Sequence, residues 1–152
     1  MAALGGERGF TLFEILVVLA LIGIMLGVLV PRLGRGIGVS ARGEGLRLLA
    51  LLRAARTQAI VTDRPYRVNF GAHGYEFLTL NGHGRFSPVK GALFRPRHLP
   101  AGAVIRDLGK THAVIFTPSG LGRAFRLEVV TSHGRFLLSG DNNGRVKGAA
   151  KS

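Results

Sequence analysis

The sequence lacks cysteine and tryptophan, and only 8 of its 152 residues are acidic. The absence of cysteine excludes disulfide bonds and thiolate metal sites. Five scattered histidines show no i, i+4 metal pair and no carboxylate beside them, and Ser119 and Ser139 have no neighbouring base. The histidines are His73, His83, His98, His112 and His133. We therefore expect no catalytic residues, no metal and no cofactor.

Glycine-containing segments that could hold ligands are better interpreted as turns. The segment Asp141-Asn142-Asn143-Gly144 offers oxygen atoms that a calcium ion could use, but its spacing does not fit an EF-hand. The pairs Gly82/Gly84 and Gly120/Gly122 lack a complete phosphate-binding pattern.

The charge is strongly positive, with 21 Lys and Arg residues and a net charge of +13. Residues after position 30 contain 20 basic and 6 acidic side chains, so this part alone carries +14. Such a surface favours polyanions such as nucleic acid, lipopolysaccharide or anionic head groups. A solvated basic face without a specific ligand explains the same composition.

Residues 10–30 are apolar except for Thr11 and Glu14, and 21 residues suffice for a membrane-spanning helix. An ionised carboxylate in hydrocarbon costs about 2.5 kcal/mol or more, which indicates a function for Glu14. If the chain is cut after Gly9, Phe10 gains a free amino group one helical turn from Glu14. A carboxylate of one subunit could then neutralise the amino terminus of another.

Two simpler interpretations explain this segment less well. A secretory signal peptide would have an apolar core of about 7–15 residues and a small-x-small cleavage site. A plain membrane anchor explains the hydrophobicity but not Glu14. The flanking charges of Glu7, Arg8 and Arg32 do not decide the orientation, so the topology depends on the motif around Gly9.

The remaining sequence predicts one helix followed by strands. The segment from Ser40 to Thr62 has the pattern of an amphipathic helix that Ser40 can cap. Its apolar stripe consists of Leu48, Leu52, Ala55 and Ala59 and is widened by Leu49, Leu51 and Ile60. Three arginines are interspersed: Arg47, Arg53 and Arg56. Pro31 and three glycines should kink the chain before it. The predicted strands are 67–70, 75–80, 103–106, 113–116, 125–130, 136–139 and 145–147, with a hairpin at Asn81-Gly82, loops at 83–91 and 96–102, and a frayed tail at 149–152.

The segment from Gly9 to Glu14 resembles the class III signal of type IV pilins and type II secretion pseudopilins. Further segments are similar to the GspH/FimT family of minor pilin-like proteins: Arg56-x-x-Ala59-Ile60, Arg64 to Val68, Phe116 to Gly120, and Gly140 to Val146. Residues 82–102 carry no such similarity. The resemblance implies an α+β fold of type IV pilin type, with a long N-terminal helix, kinked near Pro31, packed on antiparallel β-sheet.

The resemblance also implies a domain organisation and site residues. Residues 1–9 would be a leader peptide, 10–30 a transmembrane helix, 31–62 a kinked linker and amphipathic helix, and 63–152 a β-rich periplasmic domain. Cleavage would fall between Gly9 and Phe10, Phe10 would be N-methylated, and Glu14 would act in assembly. The protein would lie in the bacterial inner membrane as a single-pass protein and enter the pseudopilus.

The resulting hypothesis is a non-enzymatic minor pseudopilin of the type II secretion system, at or near the filament tip. Its partners would be other minor pseudopilins, the major pseudopilin, the prepilin peptidase/methyltransferase, the inner-membrane assembly platform and membrane lipid. The alternative is a FimT-like minor pilin that binds DNA for uptake. Arg145 and Lys147 would then contact the polyanion, although Lys147 lacks the planar fork of the arginine found in that branch. A hydrolase of the envelope has no candidate site.

Overall fold

The computed structural model describes residues 12–22 and 40–151. These belong to two separate units, Met1–Gly38 and Val39–Ser152. In the first unit, residues 12–22 form helix α1, and the side chains there are exposed. Neither helix in the two described ranges is long and apolar enough to cross a bilayer. The predicted span 10–30 is described only over residues 12–22. The predicted kink at Pro31 lies outside the described residues.

Helix α2 (Ala41–Val61) opens the second unit, as the amphipathic pattern predicts. Ser40 caps it, because its hydroxyl accepts a hydrogen bond from the amide of Gly43 at 3.0 Å. At the other end, the amide of Thr62 donates to the carbonyl of Gln58 at 2.9 Å. These two caps confirm both predicted helix ends.

The predicted apolar stripe of α2 is buried, with one exception. Leu52, Ala55 and Ala59 are fully buried, and Leu48 nearly so. Ile60 is 46 % exposed, so its place in the stripe was wrong. It lies in the last turn of the helix, against the turn at Gly120 rather than under a sheet.

Within residues 40–151, nine strands follow α2. They are β1 (Tyr66–Gly71), β2 (Gly74–Leu80), β3 (Phe86–Pro88), β4 (Arg97–His98), β5 (Val104–Asp107), β6 (Ala113–Phe116), β7 (Phe125–Thr131), β8 (Gly134–Gly140) and β9 (Val146–Lys151). Residues 40–151 therefore have an α+β fold, as predicted.

The strands form two antiparallel sheets. The first sheet has the order β3-β2-β1-β6, and β4 pairs with β2 beside β3. The second sheet has the order β5-β7-β8-β9. Alternate residues point to one face of a strand, and Val68, Phe77, Val114, Leu127 and Leu138 from the two sheets are all fully buried. These residues and the stripe of α2 form one core.

Small residues bring α2 and β9 close to β8. A Cβ atom at Gly148 would lie 2.6 Å from the ring of Phe136, and one at Gly45 would overlap the same ring. Phe136 is 2 % exposed between them. The two glycines therefore set the depth at which this ring packs, because any side chain at either position would displace it.

Three predictions about the connections need correction. Residues 149–151 form part of β9, paired with β8 as Ala149↔Leu137 and Ala150↔Phe136, and are not a frayed tail. The predicted loops 83–91 and 96–102 contain the short strands β3 and β4. The hairpin after β2 exists, but its turn spans residues 81–85 because the Asn81 side chain accepts hydrogen bonds from the amides of His83 and Arg85, both at 3.0 Å.

Candidate functional site

Two of the predicted N-terminal site residues, Gly9 and Phe10, lie outside the described residues. Glu14 lies in α1 and is exposed. Around it, Leu12 is 82 % and Phe13 is 74 % exposed. Helix α1 therefore presents a carboxylate within an apolar surface, which is the combination that the sequence pattern predicts.

A second cluster forms where the C-terminal half of α2 meets two turns. Arg56 donates from Nε to the carbonyl of Gly120 at 2.8 Å and from Nη2 to that of Asn143 at 3.4 Å. Arg53 donates from Nε and Nη2 to the carbonyl of Val146, at 3.2 and 3.0 Å. The two guanidinium groups thus bind backbone oxygens that lie 64 to 93 residues further along the chain.

The two turns, residues 117–122 and 141–145, are interlocked. The amide of Gly122 donates to the carbonyl of Asn142, and the amide of Ala124 donates to Oδ1 of the same residue, both at 3.1 Å. Gly144 has a φ of 71°, and a Cβ atom there would overlap the carbonyl of Gly120. Only glycine permits this backbone conformation and this close approach without strain. We call residues 117–122 and 141–145, with Arg53 and Arg56, the arginine clamp.

Several oxygen atoms of the segment considered for calcium accept hydrogen bonds within this clamp. Oδ1 of Asp141 accepts the amide of Arg145 at 2.9 Å. Asn142 and Asn143 accept hydrogen bonds through Oδ1 and the carbonyl, respectively, as described above. These bonds form a turn, because each one links the segment to backbone or to Arg56. In the described ranges, no three His, Asp or Glu side chains are grouped so that they could hold a metal ion.

The candidate polyanion residues Arg145 and Lys147 do not line the same groove. Arg145 is exposed and lines a groove of about 310 Å³ together with Arg53, Arg56, Thr57, Gly144 and Val146. Lys147 is exposed on β9, opposite Ser139 of β8. Arg145 therefore lies in a basic groove that Lys147 does not line. Arg53 and Arg56 add positive charge to this groove, but their donors are directed to backbone carbonyls.

The histidines lie in turns or short segments, and one of them contacts a serine. Oγ of Ser132 is 2.8 Å from Nδ1 of His133, in the exposed turn between β7 and β8. His112 contributes its backbone amide to a hydrogen bond with Asp107 at 2.6 Å. Both contacts join residues that are close in sequence, so they stabilise local structure.

The arginine clamp was not predicted as a unit, although its parts were noticed. Arg56, the segment Phe116 to Gly120 and the segment Gly140 to Val146 each support the resemblance to a family. In the fold they contact one another. The occurrence of all three segments in one sequence was the signal that could have predicted the clamp.

Comparisons with known protein families match two regions of the sequence. The sequence matches the model of the family "Type II transport protein GspH" over residues 44–148. It matches the prokaryotic N-terminal methylation motif over residues 5–30. No curated protein matches the sequence significantly.

Solved structures share the fold at low sequence identity. The minor pseudopilin EpsH from the type 2 secretion system of Vibrio cholerae superposes with a TM-score of 0.65 at 16 % identity, over 72 % of this chain and 96 % of that one. The type IV minor pilin FimU of Pseudomonas aeruginosa gives a TM-score of 0.56 at 17 % identity, over 74 % and 92 %. The family model covers well over half of the sequence and includes the arginine clamp, so the chain belongs to the GspH family of type II transport proteins.

Proposed function

We propose that this protein is a minor pseudopilin of the type II secretion system, at or near the tip of the periplasmic pseudopilus. The observation that carries the proposal is that one chain matches both a methylation motif and a GspH domain. A methylation motif at residues 5–30 precedes a GspH domain at residues 44–148. The motif supplies a means of entering a filament, and the domain supplies the surface that distinguishes this subunit from its neighbours.

The proposal includes processing at the N-terminus. A prepilin peptidase/methyltransferase cleaves the leader, residues 1–9, between Gly9 and Phe10 and methylates the amino group of Phe10. Residues 10–30 then anchor the chain in the inner membrane as a single span, and the domain of residues 63–152 lies in the periplasm. Chemistry is performed on this protein by its partner enzyme, and the protein itself is a structural component.

Assembly depends on α1 in this proposal. Its exposed apolar side chains require lipid before assembly and neighbouring helices of other minor pseudopilins or the major pseudopilin afterwards. Glu14 pairs with the amino terminus of a neighbouring subunit, which sets the axial register of the two helices. The inner-membrane assembly platform delivers the subunit to the growing filament.

Mass spectrometry of the membrane-extracted protein tests this proposal directly. We expect a mature chain that begins at Phe10 and carries one methyl group. Gly9→Ala should retain the leader and fail to restore secretion in a strain that lacks the gene. Gly6→Ala changes a glycine within the leader and should be processed normally. An intact Met1 terminus on the wild-type protein, or normal secretion without the gene, would refute the proposal.

A second candidate function, DNA binding by a type IV minor pilin, is favoured by one observation. The exposed Arg145 lies beside Arg53 and Arg56 in a basic groove, in a chain with a net charge of +13. Charge alone produces weak, sequence-independent binding to nucleic acid. Specific loss of binding on replacement of Arg145 and Lys147 would distinguish a dedicated site from this general attraction.

A further inference from the structure

A separate basic recess lies at the N-terminal half of α2, where it faces β2 and β4. It has a volume of about 350 Å³. Its lining consists of Glu44 and Arg47 from α2, Tyr75 from β2, and the segment Arg95-Pro96-Arg97-His98. The last segment comprises the end of the connection from β3 and the strand β4.

The fold holds this segment firmly in place. Phe94, just before it, is 5 % exposed, and its ring centroid lies 5.1 Å from that of Phe77 and 5.7 Å from that of Tyr66. Strand β4 then pairs with β2 through Arg97 opposite Tyr75. The buried ring and the strand pairing fix the backbone on both sides of Arg95, so the arginines of the recess project from a rigid support.

Two polar groups at this recess are buried without a hydrogen-bond partner in the described part of the chain: the hydroxyl of Tyr75 and Nε of Arg97. Tyr75 is only 4 % exposed. Most buried polar groups in folded proteins are satisfied, and leaving one unsatisfied costs about 1–3 kcal/mol. Nε of Arg97 is a donor because it belongs to a guanidinium group. Burial raises the pKa of Tyr75, so its hydroxyl stays protonated and is also a donor. The recess therefore contains two unsatisfied donors, which an acceptor that entered it would satisfy.

The charge of the recess identifies the kind of acceptor. Arg47, Arg95 and Arg97 face a single carboxylate, that of Glu44. Oε1 of Glu44 already accepts a hydrogen bond from Nη1 of Arg47 at 3.3 Å. The excess of positive charge favours an anion, and a guanidinium fork matches the two oxygens of a carboxylate or a phosphate.

We propose that the basic recess binds a carboxylate of a partner protein chain, from an Asp or Glu side chain or from a C-terminus. The recess is compact and suits a single anionic group. A nucleic acid strand would instead require a row of basic residues along its phosphates. The proposal rests on the assembly function proposed above, since that function makes the partner a protein.

Intrinsic fluorescence gives a direct readout, because the chain has two tyrosines and no tryptophan. In full-length Tyr66→Phe protein in detergent, Tyr75 is the only fluorophore of this kind. The probes are acetyl-Ala-Glu-Ala-amide, the same peptide with Gln, and inorganic phosphate, at constant ionic strength. A phenol that donates to a carboxylate loses fluorescence, so we expect a saturable decrease with the Glu peptide, a negligible one with the Gln peptide, and weaker binding of phosphate.

Variants on two different elements test the site. Arg97→Gln on β4 and Arg47→Gln on α2 should each weaken binding of the Glu peptide about tenfold, the effect of one charge-assisted hydrogen bond. Arg85→Gln, in the exposed turn after β2, is the matched control and should bind normally. Circular dichroism verifies that each variant is folded.

Four results would overturn the proposal: no saturable response, an equal response to the Gln peptide, an equal loss in Arg85→Gln, or tighter binding of phosphate than of the Glu peptide. The last result would assign the recess to a phosphate-bearing ligand. Because purified protein is used, failure here is distinguishable from failure of the secretion function, which is measured in cells.

Discussion

Replacing Arg56 by alanine removes the side chain that joins α2 to both turns of the arginine clamp. The bond from Nε to the carbonyl of Gly120 is short and partly buried, whereas the bond from Nη2 to Asn143 is long and exposed. Alanine is a better helix former than arginine, so the helix itself is not weakened. The measured effect therefore reports the clamp.

The expected loss of stability follows from these two bonds. A hydrogen bond from a charged group contributes about 1.5–3 kcal/mol, and the exposed bond adds little. We expect the free energy of unfolding to fall by about 2 kcal/mol. At an unfolding entropy of about 2.1 cal/mol/K per residue, a domain of roughly 110 residues should then melt about 9 °C lower.

Chemical denaturation of a chain that starts near Gly38, followed by circular dichroism, measures this change in the free energy of unfolding. Arg56→Lys retains the charge but replaces the planar fork by a single ammonium group, so its loss should be intermediate. Arg42→Ala, an exposed arginine in the first turn of the same helix, should change stability by less than about 0.5 kcal/mol. If Arg56→Ala matched Arg42→Ala, the clamp would not contribute to stability and the argument would be refuted.

Three further predictions concern the anchor, the domain and the charge. Glu14→Ala should insert into the membrane normally but enter filaments poorly, because it removes the partner of a neighbouring amino terminus; fractionation and filament pull-down separate the two effects, and normal incorporation would contradict charge pairing. A chain that starts near Gly38 should be soluble and melt cooperatively by circular dichroism, since α2 buries its stripe on the sheets; aggregation would mean that the boundary is misplaced. This domain should bind duplex DNA only weakly, at about 10⁻⁴–10⁻⁶ M at physiological salt, and Arg145→Ala with Lys147→Ala should cost no more than the matched exposed pair Arg85→Ala with Lys90→Ala in a fluorescence anisotropy titration. Tight binding abolished by the C-terminal pair alone would favour the DNA-uptake function.

Local signals predicted helix α2 and most of the long strands. Ser40 was recognisable as a cap because its interaction with Gly43 spans only three residues. The strand pattern of β7 and β8 was readable because both alternate between buried and exposed positions over part of their length. The pairing order of the sheets needed the structure, since it depends on contacts between distant segments.

Non-local packing explains what was missed. The end of β9 contains Gly148, Ala149 and Ala150, which have low strand propensity, and it forms a strand because β8 pairs with it and because the ring of Phe136 leaves no space for a side chain at Gly148. Arg53 and Arg56 have the spacing of solvated residues, and their backbone partners could not be located from the sequence. Because both side chains hold distant backbone carbonyls, replacing them would also change stability, so they are unsuitable as controls in a DNA-binding experiment.

The arginine clamp also has a consequence for the order of events during folding. Helix α2 is made early in synthesis, but the carbonyls that hold its C-terminal half belong to residues 120, 143 and 146. Closing such long loops is slow, because chain entropy is lost before any contact is gained. The two arginines of α2 therefore lack these bonds until residues 120 to 146 have been synthesised. A chain stalled before β9 would lack one of the strands that pack on α2, and such incompletely folded chains are prone to aggregation.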